Sequence, residues 1–187
     1  MVSAALWDTR TGQVQACVLE VTPTVVTRAA MAPDRVAGWL SRVYRSIGER
    51  LDRDGVAVVG PPFACYTADG GRVEIEAGYP VSVPVAGDGV VMPSGLPGGP
   101  AAVTVHEGPL DSLDVAYRRV ESWLAAQGFT PRGRHWERYL VGEVTHEGDP
   151  ARWRTEVVVP YGWEHWIPIV QHREGAGADA ELAPLQS

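Results

Sequence analysis

The chain has 187 residues, of which 45% are hydrophobic and 21% charged, a balance typical of a soluble globular protein. Its formal net charge of -7 argues against non-specific affinity for DNA or RNA, which requires a basic surface. All 16 basic residues are arginines, so both a Schiff-base lysine and the lysine of a phosphate-binding P-loop are excluded. The apolar runs are too short to span a membrane.

The N-terminus and the cysteines predict a cytoplasmic protein. The first residues lack the charged stretch and apolar core of a signal peptide. Cys17 and Cys65 could pair on number alone. Without a secretory signal, we expect both to be free, buried thiols.

The chain opens with predicted strands and an amphipathic helix. Residues 14–30 are rich in Val and Thr and are broken by Pro23, which predicts one or two strands. Pro33 suits the first helical position, and Gly55 suits the left-handed residue that ends a helix. The apolar stripe of this helix consists of Val36, Leu40, Val43, Ile47 and Leu51.

A hairpin and a Gly/Pro-rich segment follow. Residues 61–66 and 72–81 read as two strands around the turn at Asp69-Gly70-Gly71. Residues 82–100 predict a linker, in which Val90 and Val91 could extend a strand. The run at 94–99 lacks the spacing of a phosphate-binding loop, so we interpret it as flexible linker.

The second half repeats this order of elements. We predict a strand at Val103–Val105, a helix from about Asp111 to Gln127 and a hairpin formed by Trp136–Leu140 and Thr155–Val159. The aromatic segment 162–173 has no counterpart in the first half. The final residues, 174–187, are small and polar, and we expect a mobile tail.

Residues of the first half recur 73 residues later, the separation between Tyr66 and Tyr139. This recurrence predicts one structural unit used twice, with a ligand pocket favoured at the seam. The matched pairs are Leu40/Leu113, Tyr44/Tyr117, Arg45/Arg118, Ile47/Val120, Leu51/Leu124, Gly55/Gly128, Gly60/Gly133, Phe63/Trp136 and Tyr66/Tyr139.

The repeat fails where the first half has Ala64 and the second has Glu137. Alternation along a strand puts Glu137 and Tyr139 on one face and Trp136 on the other. If Glu137 faces inward, its carboxylate is desolvated and needs a partner. A cationic ligand would serve, aided by nearby aromatic rings. The alternative is an exposed edge position paired with an arginine such as Arg134.

The aromatic residues are mostly of the types with polar groups, with seven Trp and six Tyr against two Phe. Such residues favour sites that are half apolar and half wet. Tyr66 and Tyr139 are the better pocket candidates, because Tyr44 and Tyr117 lie near helix stripes that usually face a core. The five histidines form no recognisable metal motif, and we expect no metal and no cofactor.

Several segments together resemble the GyrI-like small-molecule-binding family, over about residues 14–161. They read GPPFACY, EAGYPV, LPGGPAAVTVHEGPLDSLDVAYRRVESWL, WERYL and RTEVVVPY. The family includes effector-binding domains of AraC- and MerR-type regulators such as BmrR. The resemblance implies an α+β fold of two strand–helix–strand–strand modules, at about 14–83 and 87–161, related by a pseudo-twofold axis within one domain.

The resemblance also implies a pocket at the module junction, lined by aromatics and holding an acid that meets cationic, lipophilic molecules. Glu137 matches that acid. The segment 162–173 is outside the family pattern, and could cap the pocket or pack elsewhere. The ligand-binding positions expected from the resemblance and from this segment are Phe63, Tyr66, Tyr117, Trp123, Trp136, Tyr139 and Trp163.

Three functions are compatible with this resemblance. The first is a stand-alone binding protein for lipophilic, planar, often cationic molecules, acting as a sensor or a sequestering protein. We expect no direct contact with nucleic acid, because no helix-turn-helix motif flanks the resemblance. The second is hydrolysis of cyclopropane-bearing genotoxins, with Glu137 as general base and Tyr139 or Tyr66 as proton donor. The third is binding to DNA gyrase.

Overall fold

The computed structural model describes residues 11–69, 71–141 and 149–163. Two α-helices and nine strands in these residues give the predicted α+β class. Neither helix is long and apolar enough to cross a membrane. The strands are β1 (Val14–Leu19), β2 (Thr22–Met31), β3 (Phe63–Asp69), β4 (Arg72–Pro80), β5 (Met92–Leu96), β6 (Gly99–Glu107), β7 (Phe129–Pro131), β8 (Trp136–Val141) and β9 (Arg154–Trp163), and the helices are α1 (Val36–Asp54) and α2 (Asp114–Gln127).

The strands form one antiparallel sheet in the order β1-β6-β9-β8-β3-β4-β2-β5, and β7 pairs with the far end of β9. The halves β6-β9-β8 and β3-β4-β2 repeat one another about the central β3–β8 pair. This arrangement confirms the predicted pseudo-twofold symmetry. The two modules share a single sheet, so the junction between them is a continuous strand pair.

The first strand of each module pairs with a strand of the other module. The sequence did not predict this exchange. β1 is followed at once by β2, yet it pairs with β6 at the opposite end of the sheet order. β5 likewise precedes β6 and pairs with β2. With two residues in each connection, the joined strand ends are at most about 10 Å apart. The two ends of the sheet therefore lie close together, and the sheet is curled.

The linker predicted at 82–100 is wrong in its second half, which includes the run at 94–99 interpreted as flexible, and the strand considered at Val90 and Val91 begins one residue after them. Met92–Leu96 forms strand β5, which pairs with β2. The segment lacks apolar alternation because β5 is an edge strand with a single neighbour, a position that tolerates Pro93 and Gly95. Its last side chain, Leu96, is buried.

Both helices follow the predicted signals. A 3-10 turn at Pro33–Arg35 precedes α1, which ends at Gly55 with a φ of 66°. A second 3-10 turn, Leu110–Ser112, delays α2 to Asp114, about three residues after its predicted start. The helix ends at Gly128 with a φ of 71°. The left-handed conformation at both ends is one that glycine adopts without a Cβ penalty.

The two helices pack on one face of the sheet. On the other face, side chains from the two modules pack against each other. On the helix face, α1 covers β3 and β4, and α2 covers β6 and β9. The opposite face brings Val26 and Phe63 from the first half against Val103 and Trp136 from the second. Cys65 is buried in that core, and both cysteines are free as predicted. Cys17, however, is partly exposed.

The predicted C-terminal aromatic segment and tail lie outside the described residues, apart from the backbone of residues 162 and 163, which completes β9. The predicted final hairpin is present as β8 and β9. Most of its loop, residues 142–148, also lies outside the described part of the chain.

Close contact between β2 and β4 generates the first prediction. A Cβ placed at Gly78 would lie 1.8 Å from the carbonyl oxygen of Val25, a backbone atom. We expect Gly78→Ala to lower the free energy of unfolding by about 3 kcal/mol or more, since the strands must separate. Chemical denaturation measures this change. The control is Gly48→Ala inside α1, where no atom lies within 4 Å.

At Gly48 the same substitution should raise the free energy of unfolding by about 0.5–1 kcal/mol, because alanine is the better helix former. Equal effects of the two substitutions would contradict the strand packing described above.

Candidate ligand-binding site

The pseudo-twofold axis passes through the residue pair at which the repeat fails. In the β3–β8 ladder, Ala64 pairs directly with Glu137. These two residues are also the repeat equivalents of each other, so the axis runs between them. Glu137 lies on the helix face of the sheet and is only 6% exposed. The inward orientation considered from the sequence is confirmed, and the exposed-edge alternative is wrong.

The carboxylate of Glu137 is held by two tyrosine hydroxyls. Tyr117, from α2, donates to Oε1 at 2.9 Å, and Tyr139, two residues along β8, donates to Oε2 at 2.9 Å. Burial, and then the negative charge of Glu137, raise the pKa of both phenols well above the usual value. Both tyrosines therefore remain protonated donors at physiological pH.

A third tyrosine extends this network. The hydroxyls of Tyr66 and Tyr139, which are repeat equivalents, lie 2.5 Å apart. Tyr139 has one hydroxyl proton and donates it to Glu137, so Tyr66 must be the donor in this pair. The result is a directed chain from Tyr66 through Tyr139 to Glu137, joined there by Tyr117. We call these four residues the Glu137 cluster.

A cleft of about 170 Å³ lies above the Glu137 cluster, between the start of α1 and the turn before α2. Tyr66 and Tyr139 form its floor. Glu137 does not line the cleft itself but lies beneath Tyr139. The walls are formed by Pro33, Val36, Ala37, Leu40, Ser41 and Leu110.

The repeat equivalent of Tyr117 has a different role. Tyr44, on α1, donates to the carbonyl oxygen of Phe63 at 2.9 Å and packs edge-on against Tyr79 and Tyr139. Its position is that of a core residue, as expected. Because the first half has alanine at position 64, Tyr44 has no equivalent carboxylate to bind. The asymmetry at one position thus directs two equivalent tyrosines to different partners.

Five of the expected ligand residues do not line this cleft. Glu137 and Tyr117 lie in the hydrogen-bonded network beneath it. Phe63 and Trp136 are buried on the opposite face of the sheet, because strand alternation turns them away from Glu137. Trp123 packs against Phe129 and Tyr161 beside α2, with ring centroids 6.1 Å from each. The side chain of Trp163 lies outside the described residues.

Sequence reasoning missed the walls of the cleft and the neighbour of Tyr117. Leu110 and Pro33 lie just before helix starts, where a sequence offers capping signals and no sign of a ligand. His135 packs edge-on against Tyr117, with ring centroids 5.3 Å apart. Burial lowers the pKa of His135, so the ring is neutral near pH 7.

Among the described residues, no cluster of His, Cys, Asp and Glu could hold a metal ion.

The family follows from a direct comparison. A model of the GyrI-like small molecule binding domain matches residues 37–161. The chain belongs to this family. No functionally curated protein matches it in sequence.

Solved structures support the same fold. The C-terminal domain of EcmrR is 19% identical, with a TM-score of 0.70, and the match covers 81% of this chain and 98% of that domain. In the EcmrR–DNA complex the identity is 20% and the TM-score 0.70, with 81% of this chain matching 57% of the EcmrR chain. The chain therefore spans little more than half of that regulator.

Two further neighbours have the same architecture. A hydrolase from Listeria innocua is 11% identical, with a TM-score of 0.63, and the match covers 83% of this chain and 95% of that one. SAV2435, solved with tetraphenylphosphonium, is 16% identical with a TM-score of 0.56, covering 80% and 94% of the two chains. At these identities the likeness establishes the fold alone.

The Glu137 cluster generates the second prediction. A double-mutant cycle of Tyr117→Phe with Glu137→Gln should give a coupling energy of about 1 kcal/mol, because glutamine keeps an acceptor oxygen and only the charge contribution to the hydrogen bond is lost. Urea denaturation of the four proteins measures it. The matched control is Tyr44→Phe, the repeat equivalent, whose hydroxyl binds a backbone carbonyl. Its coupling to Glu137→Gln should stay below about 0.5 kcal/mol, and equal couplings would refute the contact.

Proposed function

We propose that this protein binds lipophilic, planar cations in the cleft above the Glu137 cluster, as a multidrug-type sensor or sequestering protein. The observation that carries the proposal is a buried carboxylate on the pseudo-twofold axis, beneath a cleft whose floor is two tyrosine rings. Ring faces attract cations through their quadrupole. The carboxylate beneath them adds a net negative charge where little water competes.

The Glu137 cluster explains how such a site persists without ligand. Each carboxylate oxygen receives a tyrosine hydroxyl, so the buried charge is hydrogen-bonded before any cation arrives. The tyrosines are neutral, so the negative charge is retained for the ligand. SAV2435, with a similar fold, was solved with tetraphenylphosphonium, a lipophilic cation that is tetrahedral and not planar.

The size of the cleft sets a condition on binding. Clefts for drug-sized ligands usually measure about 300–1,000 Å³, and this one measures about 170 Å³. A bulky cation therefore requires the start of α1 and the turn at Leu110–Ser112 to move apart. We expect association to be slower than for a preformed pocket, because binding includes this opening.

The third prediction separates charge from shape. Wild-type protein should bind tetraphenylphosphonium more tightly than tetraphenylborate, an anion of the same shape. Glu137→Gln should weaken tetraphenylphosphonium binding at least tenfold, equivalent to about 1.4 kcal/mol, and reduce the preference for the cation. Isothermal titration calorimetry measures both ligands.

Glu49→Gln is the control, since it removes the same charge from an exposed position on α1. Its affinities should match those of the wild type. Undiminished tetraphenylphosphonium binding by Glu137→Gln would refute the role of this carboxylate.

Hydrolysis is a second candidate function, favoured by the directed hydrogen-bond chain. A carboxylate next to protonated phenols can act as base while a phenol supplies a proton to the leaving atom. In this scheme water gives a proton to the hydroxyl of Tyr139 while Tyr139 passes its own proton to Glu137, and the water oxygen bonds to a carbon of a strained cyclopropane. The ring C–C bond breaks, and Tyr139 or Tyr66 protonates the group that receives its electron pair. The hydrolase from Listeria innocua has a similar fold.

The fourth prediction tests this reaction. If the protein is a hydrolase, a cyclopropane-bearing alkylating compound incubated with it in ¹⁸O-labelled water should gain one labelled water, detected by mass spectrometry. Glu137→Gln should lower the rate at least a hundredfold, the typical loss for a general base, and Tyr44→Phe should retain most of it. Product formation no faster than in protein-free buffer would eliminate hydrolysis of the compound tested.

A further inference from the structure

A larger cleft, of about 470 Å³, lies on the face of the sheet opposite the helices. It belongs to the first module, over β2, β4 and β3. Its polar lining consists of Arg28, Thr67, Glu74, Glu76 and Arg134. We call it the arginine cleft, and the Glu137 cluster lies on the other face of the sheet.

Two guanidinium groups converge in the arginine cleft on one buried oxygen. Arg28 Nε lies 2.7 Å, and Arg134 Nη1 3.2 Å, from Oε2 of Glu76, which is 5% exposed. Ser94 donates to the other oxygen, Oε1, at 3.1 Å. The two guanidinium nitrogens are therefore within about 6 Å of each other, a spacing that one carboxylate or phosphate can bridge.

Both guanidinium groups also face outward. The side chains of Arg28 and Arg134 are 54% and 53% exposed. Each contacts Glu76 through a single nitrogen, and a guanidinium carries five N–H donors. Donors therefore remain on each group for a second oxyanion on the cleft side.

The second module provides an internal comparison. Cys65 pairs with Glu76 across the β3–β4 ladder, and its repeat equivalent, Arg138, pairs with Glu156 across the β8–β9 ladder. Glu156 therefore corresponds to Glu76. Arg138 Nε lies 2.5 Å from Glu156, and the two side chains are 14% and 2% exposed. Arg138 thus pairs with Glu156 from within the sheet, but burial outweighs the charges of Arg138 and Arg154 and raises the pKa of Glu156. The first module has a thiol there, and its glutamate instead contacts two arginines at the rim of an open cleft, Arg28 of the same module and Arg134 of the second module.

The charges in the arginine cleft favour an anion. Burial acts to raise the pKa of Glu76, but Arg28 and Arg134 outweigh it and the net pKa is lowered, so this carboxylate is ionised. Arg72 adds a third guanidinium at the edge, donating to the carbonyl oxygen of Ala30 at 2.5 Å. Among the described side chains around the cleft, three arginines therefore outnumber two glutamates, Glu74 and Glu76, although the net charge of the chain is -7.

Cys65 does not make the arginine cleft a nucleophilic site. Burial raises the pKa of its thiol to about 11, so the sulfur is protonated at physiological pH. We therefore interpret the arginine cleft as a site that binds an anion without reacting with it. Glu74, on the lining, disfavours extended polyanions such as nucleic acid and leaves room for a single small oxyanion.

We propose that the arginine cleft is a second ligand site, which binds the carboxylate or phosphate group of a small molecule between Arg28 and Arg134. The methyl group of Ala30 and the aliphatic stems of the arginines offer a short apolar contact beside the charged group. The two faces of the sheet then select ligands of opposite charge.

The test uses inorganic phosphate and benzoate as probes, followed by the side-chain Nε–H signals of arginine in NMR titrations. Both probes should shift the signals of Arg28 and Arg134 saturably. The double substitution Arg28→Gln with Arg134→Gln should weaken both affinities at least tenfold. The matched control is Arg45→Gln, an exposed arginine of α1 on the other face, which should change neither affinity.

The double substitution leaves Glu76 without its partners and could unfold the chain, so Ala30→Glu provides an independent variant. Residue 30 is exposed and lies in the arginine cleft, and the new carboxylate repels anions while the contacts of Glu76 remain. Its affinities for both probes should also fall at least tenfold. Absence of saturable shifts in the wild type, or unchanged affinities in a folded Ala30→Glu protein, would overturn the proposal. Tetraphenylphosphonium binding should be unaffected by Ala30→Glu, so the two sites succeed or fail separately.

Discussion

The pairing of Ala64 with Glu137 across the β3–β8 ladder is the constraint on which the helix face depends. A residue on a pseudo-twofold axis lies beside its own equivalent, with Cβ atoms about 4.5–5.5 Å apart. Two glutamates there would place like charges side by side in a buried site, which is destabilising. A single carboxylate is compatible with burial, and two tyrosine hydroxyls satisfy it. A site with a single buried charge on this axis therefore requires different residues in the two halves at this position.

The same kind of divergence occurs on the opposite face. There the second module fills the position of Cys65 with Arg138, which pairs inside the sheet with Glu156. The first module keeps the glutamate, which pairs with Arg28 on the neighbouring strand β2 and with Arg134 of the second module. The backbone is common to both halves, because strand pairing and the two helices maintain it. The modules differ in which side chains contact each buried carboxylate. Each difference is accompanied by a cleft, which lies above the Glu137 cluster on the helix face and is the arginine cleft on the opposite face.

Local chemistry made much of the fold predictable from the sequence. Apolar stripes at helical spacing and terminal glycines gave both helices, and turn residues at Asp69 gave the first hairpin. The exchanged strands β1 and β5 were not predictable in the same way, because their partners are distant in the chain and β5 carries no apolar alternation. Of the site, Glu137 and Tyr139 followed from alternation along one strand. The same alternation places Trp136 on the face opposite Glu137. It therefore predicts that Trp136 and its equivalent Phe63 lie away from the ligand, contrary to the expectation from the resemblance.

The Glu137 cluster and the walls above it differ in how firmly they are held. The floor is fixed by hydrogen bonds that join three tyrosines to one carboxylate across β3, β8 and α2. The walls come from the start of α1 and from two 3-10 turns, Pro33–Arg35 and Leu110–Ser112, whose N-cap residues make no side-chain capping bond in the described structure. Separating the turns breaks mainly apolar contacts, whereas disturbing the floor would expose a buried charge. Ligands of different shape can then be accommodated by the walls while the charge beneath them stays in one place, which is the physical requirement for binding many cations at a single carboxylate.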